Sequence, residues 1–198
     1  MAYMDDDETE TKEKVEKPAD LIEQSLFKSR TILLTGGINE KQARYVCERL
    51  LSMAAASDDP ILLVISSPGG HVESGDMIHD MIRFIKPEVK VLGSGWVASA
   101  GVLIYLAAKK ENRFCTPNTR FLLHQPSGGA GGKAVDIEIQ AREIIKMRHR
   151  LDQLIARETG QTLERVSRDT ERDYWMSAEE AIDYGIVTRI TKNIADMR

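Results

Sequence analysis

Aromatic residues make up only 6% of this 198-residue chain, which disfavours a platform on which nucleic-acid bases stack. Cysteine is scarcer still. Cys47 and Cys115 stand 68 residues apart with no CxxC pair, so two buried, reduced thiols are expected rather than a disulfide framework or a zinc ribbon. No HxxxH or paired Cys/His spacing occurs, so no metal is expected. The glycine-rich segment Ser127-Gly128-Gly129-Ala130-Gly131-Gly132 lacks the G-K-[ST] ending that holds a nucleotide phosphate. Long apolar runs are also missing. The longest, Ala98 to Ala108, is too short to span a bilayer. The N-terminus is acidic where a signal peptide would be apolar. The expectation is a cytoplasmic protein with no membrane contact.

Basic surplus is absent as well. The formal net charge is −4, and it is unevenly placed. Residues 1–20 hold eight acids and three lysines, a balance of −5, which leaves the other 178 residues at +1. No dense basic footprint of a nucleic-acid binder remains. The acidic stretch has too little apolar content to order itself, so residues 1–20 are expected to be a disordered tail before a folded domain over 21–198. Hydrophobic residues at 42% and charged ones at 29% fit a globular domain of ordinary size.

What is present is a rhythm of strand, turn and helix. Thr31–Thr35 reads as a strand closed by Gly36-Gly37. Asn39, with Gln42 three residues on, reads as a helix start with a capping box, and the helix runs to about Ala56. Ile61–Ile65 is an unbroken apolar run, as in a parallel strand covered on both faces. It is followed by Ser66-Ser67-Pro68-Gly69-Gly70 and a helix from about Glu73 to Ile85. Val89–Leu92 is the next strand, and a short helix to about Ala108 follows Gly93–Gly101. Two short strands, Arg113–Thr116 and Arg120–His124, precede the glycine segment. This pattern predicts an α/β fold with parallel strands and right-handed crossovers. One helical pattern then runs from about Lys133 to Thr159, roughly 40 Å at 1.5 Å per residue. A domain of this size is itself only about 40 Å across. Such a helix projects, and its apolar stripe of Ile137, Ala141 and Ile144 needs a partner subunit. Two short helices and a strand at Ile186–Ile190 close the chain.

Several residues stand where chemistry could occur, each with a plainer reading beside it. Ser99 falls where a buried strand turns into a helix, among the small residues Ala98, Ala100 and Gly101. It is either a nucleophile before free helix N–H groups or simply a helix cap. The Gly69-Gly70 pair could present oxyanion-binding N–H groups or only make a tight turn. Of four histidines, His71, His79 and His149 read as structural or solvated. His124 ends an apolar strand, where ligands collect in α/β folds. Asp173 lies just before a capping box of Ser177 and Glu180 and is open to an ion pair with Arg168 or Arg172.

Together these segments resemble the Clp protease proteolytic subunit family (ClpP). The resemblance runs from Thr31 to about Thr191. It is carried by Ser67-Pro68-Gly69-Gly70, Ala98-Ser99-Ala100-Gly101, His124-Gln125-Pro126, Asp136 to Ala141, and Asp169 to Trp175 with Ser177-Ala178. It implies a ClpP/crotonase-type fold of repeated β-α-β units in a superhelix, with the long helix as a projecting handle. Ser99 would be the nucleophile, His124 the general base and Asp173 the residue orienting His124. The backbone N–H groups of Gly70 and Ala100 would form the oxyanion hole. The glycine segment would hold substrate as an added β-strand. The implied assembly is two stacked heptameric rings of identical subunits that degrade unfolded polypeptides. It would be fed by an AAA+ unfoldase that consumes the ATP, while the chain itself binds no cofactor. Trp96 stands where family members commonly have Gln and Ala100 where they commonly have Met, and both changes are expected to reshape the pocket beside Ser99. The apolar N-terminal segment that usually forms axial loops is replaced by the acidic tail. Other readings weighed are a crotonase-type acyl-CoA enzyme, a catalytically silent ring subunit, and a Ser–Lys dyad using Lys109 or Lys110.

Overall fold

The computed structural model describes residues 18–129 and 131–197. Of the expected tail, residues 1–17 therefore lie outside the described residues, and Pro18–Asp20 open a helix, α1 (Pro18–Lys28), that sequence patterning did not indicate. Proline suits its first position, where the missing N–H would have no partner anyway. None of its residues is buried, so there is little apolar periodicity to read. An ion pair between Glu23 and Arg49 ties it to the next helix.

The chain then lays down β1 (Thr31–Thr35), α2 (Glu40–Ala56), β2 (Ile61–Ser67), α3 (Val72–Phe84), β3 (Val89–Ala98), α4 (Ala100–Leu106), β4 (Arg113–Cys115) and β5 (Arg120–Leu123). The long helix α5 (Ala134–Thr159) follows, then α6 (Leu163–Asp169), β6 (Tyr174–Met176), α7 (Ala178–Tyr184) and β7 (Arg189–Ile190). One sheet runs β1-β2-β3-β4-β7, with β5 joined to β3 and β6 to β5. Every pairing is parallel except β5 with β6. Asn39 caps α2 by accepting from the Gln42 N–H at 3.0 Å. The expected reciprocal bond does not form, because the Gln42 amide reaches the Thr35 carbonyl instead.

The apolar run of β2 is covered fully on one face and partly on the other. Ile61, Leu63 and Ile65 are fully buried, whereas Leu62 and Val64 are half-buried. β3 extends well past the Gly93-Ser94-Gly95 stretch that sequence patterning reads as a turn. Its pairing with β2 jumps from Ile65↔Gly93 to Ser67↔Val97, so the glycines make a bulge, with Gly95 at φ +72°, rather than a break. The first half of β3 pairs with β4 and the second with β5. This bend delivers the end of β3 to the same place as the end of β5.

Only the C-terminal part of α5 is packed. Leu151, Leu154 and Ile155 are buried, while Val135, Ile137, Ile139 and Ile145 are exposed, so the N-terminal half projects as the helix length requires. The packed end is anchored by charge. Buried Arg113 donates to the Glu158 carboxylate at 2.6 Å and to its carbonyl at 2.9 Å, and Arg83 reaches the same carboxylate at 2.7 Å. Farther along, Arg150 grips Asp76 of α3 with two bonds, at 2.9 and 2.6 Å, the fork geometry that guanidinium and carboxylate favour.

Candidate active site

Ser99 sits between β3 and α4 with φ +54° and ψ −124°, a conformation that non-glycine residues rarely adopt and that costs about 1–3 kcal/mol. Its neighbours hold it there. The Ser99 N–H donates to the Leu122 carbonyl of β5 at 2.9 Å. Although Ser99 occupies the helix-cap position, its hydroxyl makes no capping bond. The plain-cap reading is therefore set aside, and the hydroxyl is left pointing from a strained turn at a helix N-terminus.

Gly69 and Gly70 approach this turn from the loop after β2. Ser67 braces that loop, donating to Gly36 O at 2.7 Å and accepting from the Gly69 N–H at 3.1 Å. Gly70 pairs with Ile38 in an isolated parallel bridge, in which Ile38 N donates to Gly69 O and His71 N to Ile38 O. The flanking residues carry those bonds, so the Gly70 N–H lies outside the ladder. No side chain fits here, because a Cβ on Gly70 would stand 2.2 Å from Ile38 O. The Ala100 N–H, in the first turn of α4, also has no acceptor within its own helix. Gly69 packs against the Ser99 turn, so both backbone donors belong to segments that meet there.

His124 follows β5 and Asp173 precedes β6. The antiparallel register Leu122↔Trp175, Leu123↔Tyr174, carried one step further, sets His124 opposite Asp173. The His124 Nδ1 to Asp173 Oδ1 distance is 3.7 Å, just beyond a hydrogen bond. Asp173 makes no pair with Arg168 or Arg172. Arg168 turns to Asp169 instead, at 3.5 Å. The strand Tyr174–Met176 that fixes this pairing is absent from the sequence reading. Three residues are too few to show alternation, and only the aromatic pair Tyr174-Trp175 hints at it.

Two hollows meet at His124. One lies between Ser99, Ala100, His124 and the packed part of α5 and has about 20 Å³ of free space, room for about one water molecule. The other is an open groove of about 680 Å³ between the start of the glycine segment, Ile144, and the stretch from Glu171 to Asp173. Ala100 lines the first hollow. Trp96 lines neither; it is paired in register with Arg120, whose guanidinium stacks 4.2 Å from the Trp175 ring.

The other candidates resolve into structural roles. His71 bonds Ser74 at 2.9 Å, buried His79 bonds Asp80 at 2.9 Å, and His149 bonds Gln153 at 2.9 Å. Burial pushes the Cys47 thiol up to about 11 and the Cys115 thiol up to about 12, which leaves neither as a thiolate nucleophile near neutral pH. Lys109 is paired with Glu88 and lines a different cavity, as does Lys110. Among the described residues no group of three or more His, Cys, Asp or Glu could hold a metal ion, and no helix is long and apolar enough to cross a membrane.

A mostly parallel sheet with a crossover helix after each early strand defines an α/β protein. The chain belongs to the Clp protease family, whose model matches residues 13–194. It is 59% identical over 194 residues to the ATP-dependent Clp protease proteolytic subunit 3 of Rhizobium etli, covering 98% of this chain and 100% of that one. It is 59% identical over 172 residues to proteolytic subunit 2 of Pseudomonas aeruginosa, covering 87% and 85%. Among solved structures, ClpP1 from Listeria monocytogenes superposes with a TM-score of 0.81 at 52% identity over 89% of this chain and 99% of that one. A mutant of that protein gives 0.84.

Proposed function

We infer that the chain is the serine endopeptidase subunit of a self-compartmentalising, ATP-dependent protease that cuts unfolded polypeptides into small peptides. Ser99 attacks the scissile carbonyl. His124 takes its proton and returns it to the leaving amine, and Asp173 orients the imidazole. The N–H groups of Gly70 and Ala100 receive the negative charge that develops on the carbonyl oxygen. The observation that carries this reading is Ser99 itself: a strained serine with an uncommitted hydroxyl, in one hollow with His124. The open groove beside His124 suits an extended substrate chain bound main chain to main chain.

The active form is a double ring of fourteen identical subunits, the acidic segment 1–20 leading into a peptidase domain over 21–198. It works in the cytoplasm, and an AAA+ unfoldase supplies unfolded chains and consumes the ATP. The peptidase chain needs no cofactor. The loose His124–Asp173 contact belongs to a single protomer, and catalytic hydrogen bonds commonly tighten only when substrate binds. A crotonase-type reaction uses no serine nucleophile, whereas Ser99, with an uncommitted hydroxyl, shares one hollow with His124. The deciding experiment is labelling with a fluorophosphonate probe alongside cleavage of a fluorogenic peptide by the purified particle. Labelling at Ser99 that abolishes cleavage is expected; cleavage that survives full labelling overturns the assignment.

A further inference from the structure

A cavity of about 620 Å³ lies apart from the two hollows at His124. A water takes about 30 Å³, so the space admits a small organic molecule. It is bounded by the end of α3, the Lys86–Val89 connection, the end of α4 and the turn Lys110–Asn112, with Glu158 of α5 at its side. Its lining includes Ile82, Val89, Ala107 and Ala108, all buried and aliphatic. The charge around it is unbalanced. Arg83, Arg113 and Arg157 share the one Glu158 carboxylate, at 2.7, 2.6 and 3.1 Å. Lys86 pairs with Asp58 and Lys109 with Glu88, and the Glu111 carboxylate also acts on Lys109. Lys110 lines the cavity too, yet its exposed ammonium has no partner among the described residues. Six cations thus face four carboxylates.

Asn112, in the same lining, adds an independent sign. It is 6% exposed, and its buried Nδ2 meets no acceptor at hydrogen-bonding distance. Its amide leans toward Glu88 in the cavity wall: Lys109 first, and Asn112 after it, hold the Glu88 carboxyl below the usual carboxylate range. A carboxylate is therefore already the group that this wall attracts, and one donor and one ammonium are left over. A buried donor without an acceptor is unfavourable, and an incoming acceptor removes that cost. We propose that the cavity binds a small organic carboxylate with a short aliphatic chain, the headgroup on the Lys110 ammonium and the Asn112 amide and the chain along the aliphatic lining. A cationic ligand would add to the excess of positive charge. Inorganic phosphate would satisfy the charge but leave the aliphatic lining in water. The inference does not depend on the peptidase reading, because neither Lys110 nor Asn112 belongs to the hollows at His124.

The test titrates the purified full-length protein with hexanoate, following binding by saturation-transfer NMR and stability by thermal unfolding. Saturable binding is expected, with a rise in Tm, because a ligand held only by the folded state stabilises it. Hexanamide keeps the shape and loses the charge, whereas acetate keeps the charge and loses most of the chain. Each should bind about ten-fold more weakly than hexanoate. Lys110→Gln and Asn112→Leu should each weaken hexanoate by about ten-fold, the scale of one charge-assisted or buried hydrogen bond. Asn112→Leu should still fold, since the donor that it removes has no acceptor. Peptide cleavage without hexanoate should be unchanged in both variants. Hexanoate that does not saturate, hexanamide or inorganic phosphate bound as tightly as hexanoate, or an unchanged affinity in Lys110→Gln overturns the proposal. Should Asn112→Leu fail to fold, Lys110→Gln, a change at an exposed side chain, decides it.

Discussion

Gly69 packs directly against Ser99: a Cβ added to the glycine would stand 2.6 Å from the Ser99 Cβ and 2.8 Å from the Ala98 carbonyl oxygen. Gly69 also has φ +92°, which favours glycine on backbone grounds alone. Gly69→Ala should therefore displace the elbow as well as strain its own loop. The expected outcome is a fall in peptide kcat/KM of about 10²-fold, the scale of a small misplacement of reacting groups. Fluorophosphonate labelling should slow in step, and a variant that labels at the wild-type rate would show that the contact relaxes harmlessly.

Replacing Ser99 separates strain from chemistry. Ser99→Ala should lower peptide cleavage by about 10³-fold or more, with residual catalysis left to the backbone donors. Ser99→Gly should be equally inactive yet more stable, because glycine accepts the positive φ of that position. The relief, less the added chain entropy of glycine, is about 1 kcal/mol. Thermal unfolding should register it as a rise of about 2–4 °C. A Tm of Ser99→Gly at or below that of Ser99→Ala would mean that the turn is unstrained.

The anchor of α5 gives a pH dependence with a defined sign. Burial pushes the Glu158 carboxyl up, but hydrogen bonds from Arg113, Arg157 and Arg83 outweigh it and hold the group below the usual carboxylate range. A carboxylate depressed in the folded state contributes stability that is present above its unfolded value and lost as pH falls through the folded one. Glu158→Gln should therefore destabilise the protein at pH 7 by about 3 kcal/mol, since it leaves the buried Arg113 guanidinium without its counter-charge. The gap between variant and wild type should close as the pH falls below about 4. Parallel unfolding curves at every pH would mean that Arg113 is held by the carbonyls alone.

Assembly should depend on the exposed half of α5. Ile139 is 50% exposed in the protomer, so Ile139→Asp should leave folding intact. Within an interface it would bury an unpaired carboxylate, a cost of several kcal/mol. Sedimentation should show single rings or smaller species. Particles of fourteen subunits with unchanged peptidase activity would place the ring contact elsewhere.

Much of this site was legible in sequence because it lies at strand ends flagged by small residues. Ser99 among alanines and Gly69-Gly70 after an apolar run mark places where backbone must come close to backbone. The helices were legible too, since α2 and α5 carry long periodic patterns. Harder to read was anything set by register. β6 is three residues long, and its pairing with β5, which places Asp173 opposite His124, depends on partners distant in sequence. The β3 bulge is hidden in the sequence because Gly93 and Gly95 signal a turn and a bulge equally well.

The two sides of the site differ in how firmly they are held. Ser99 closes a ten-residue strand that bonds in turn to β2, β4 and β5, whereas His124 and Asp173 are borne by strands of four and three residues. Amide hydrogens along β3 should exchange only with global unfolding, and those of β5 and β6 through smaller, more frequent openings. On the proposed mechanism, a resting population would keep Ser99 in place while His124 and Asp173 open more often. A mass-spectrometric exchange map should then show the short-stranded side quieting when an inhibitor binds while β3 stays as it was.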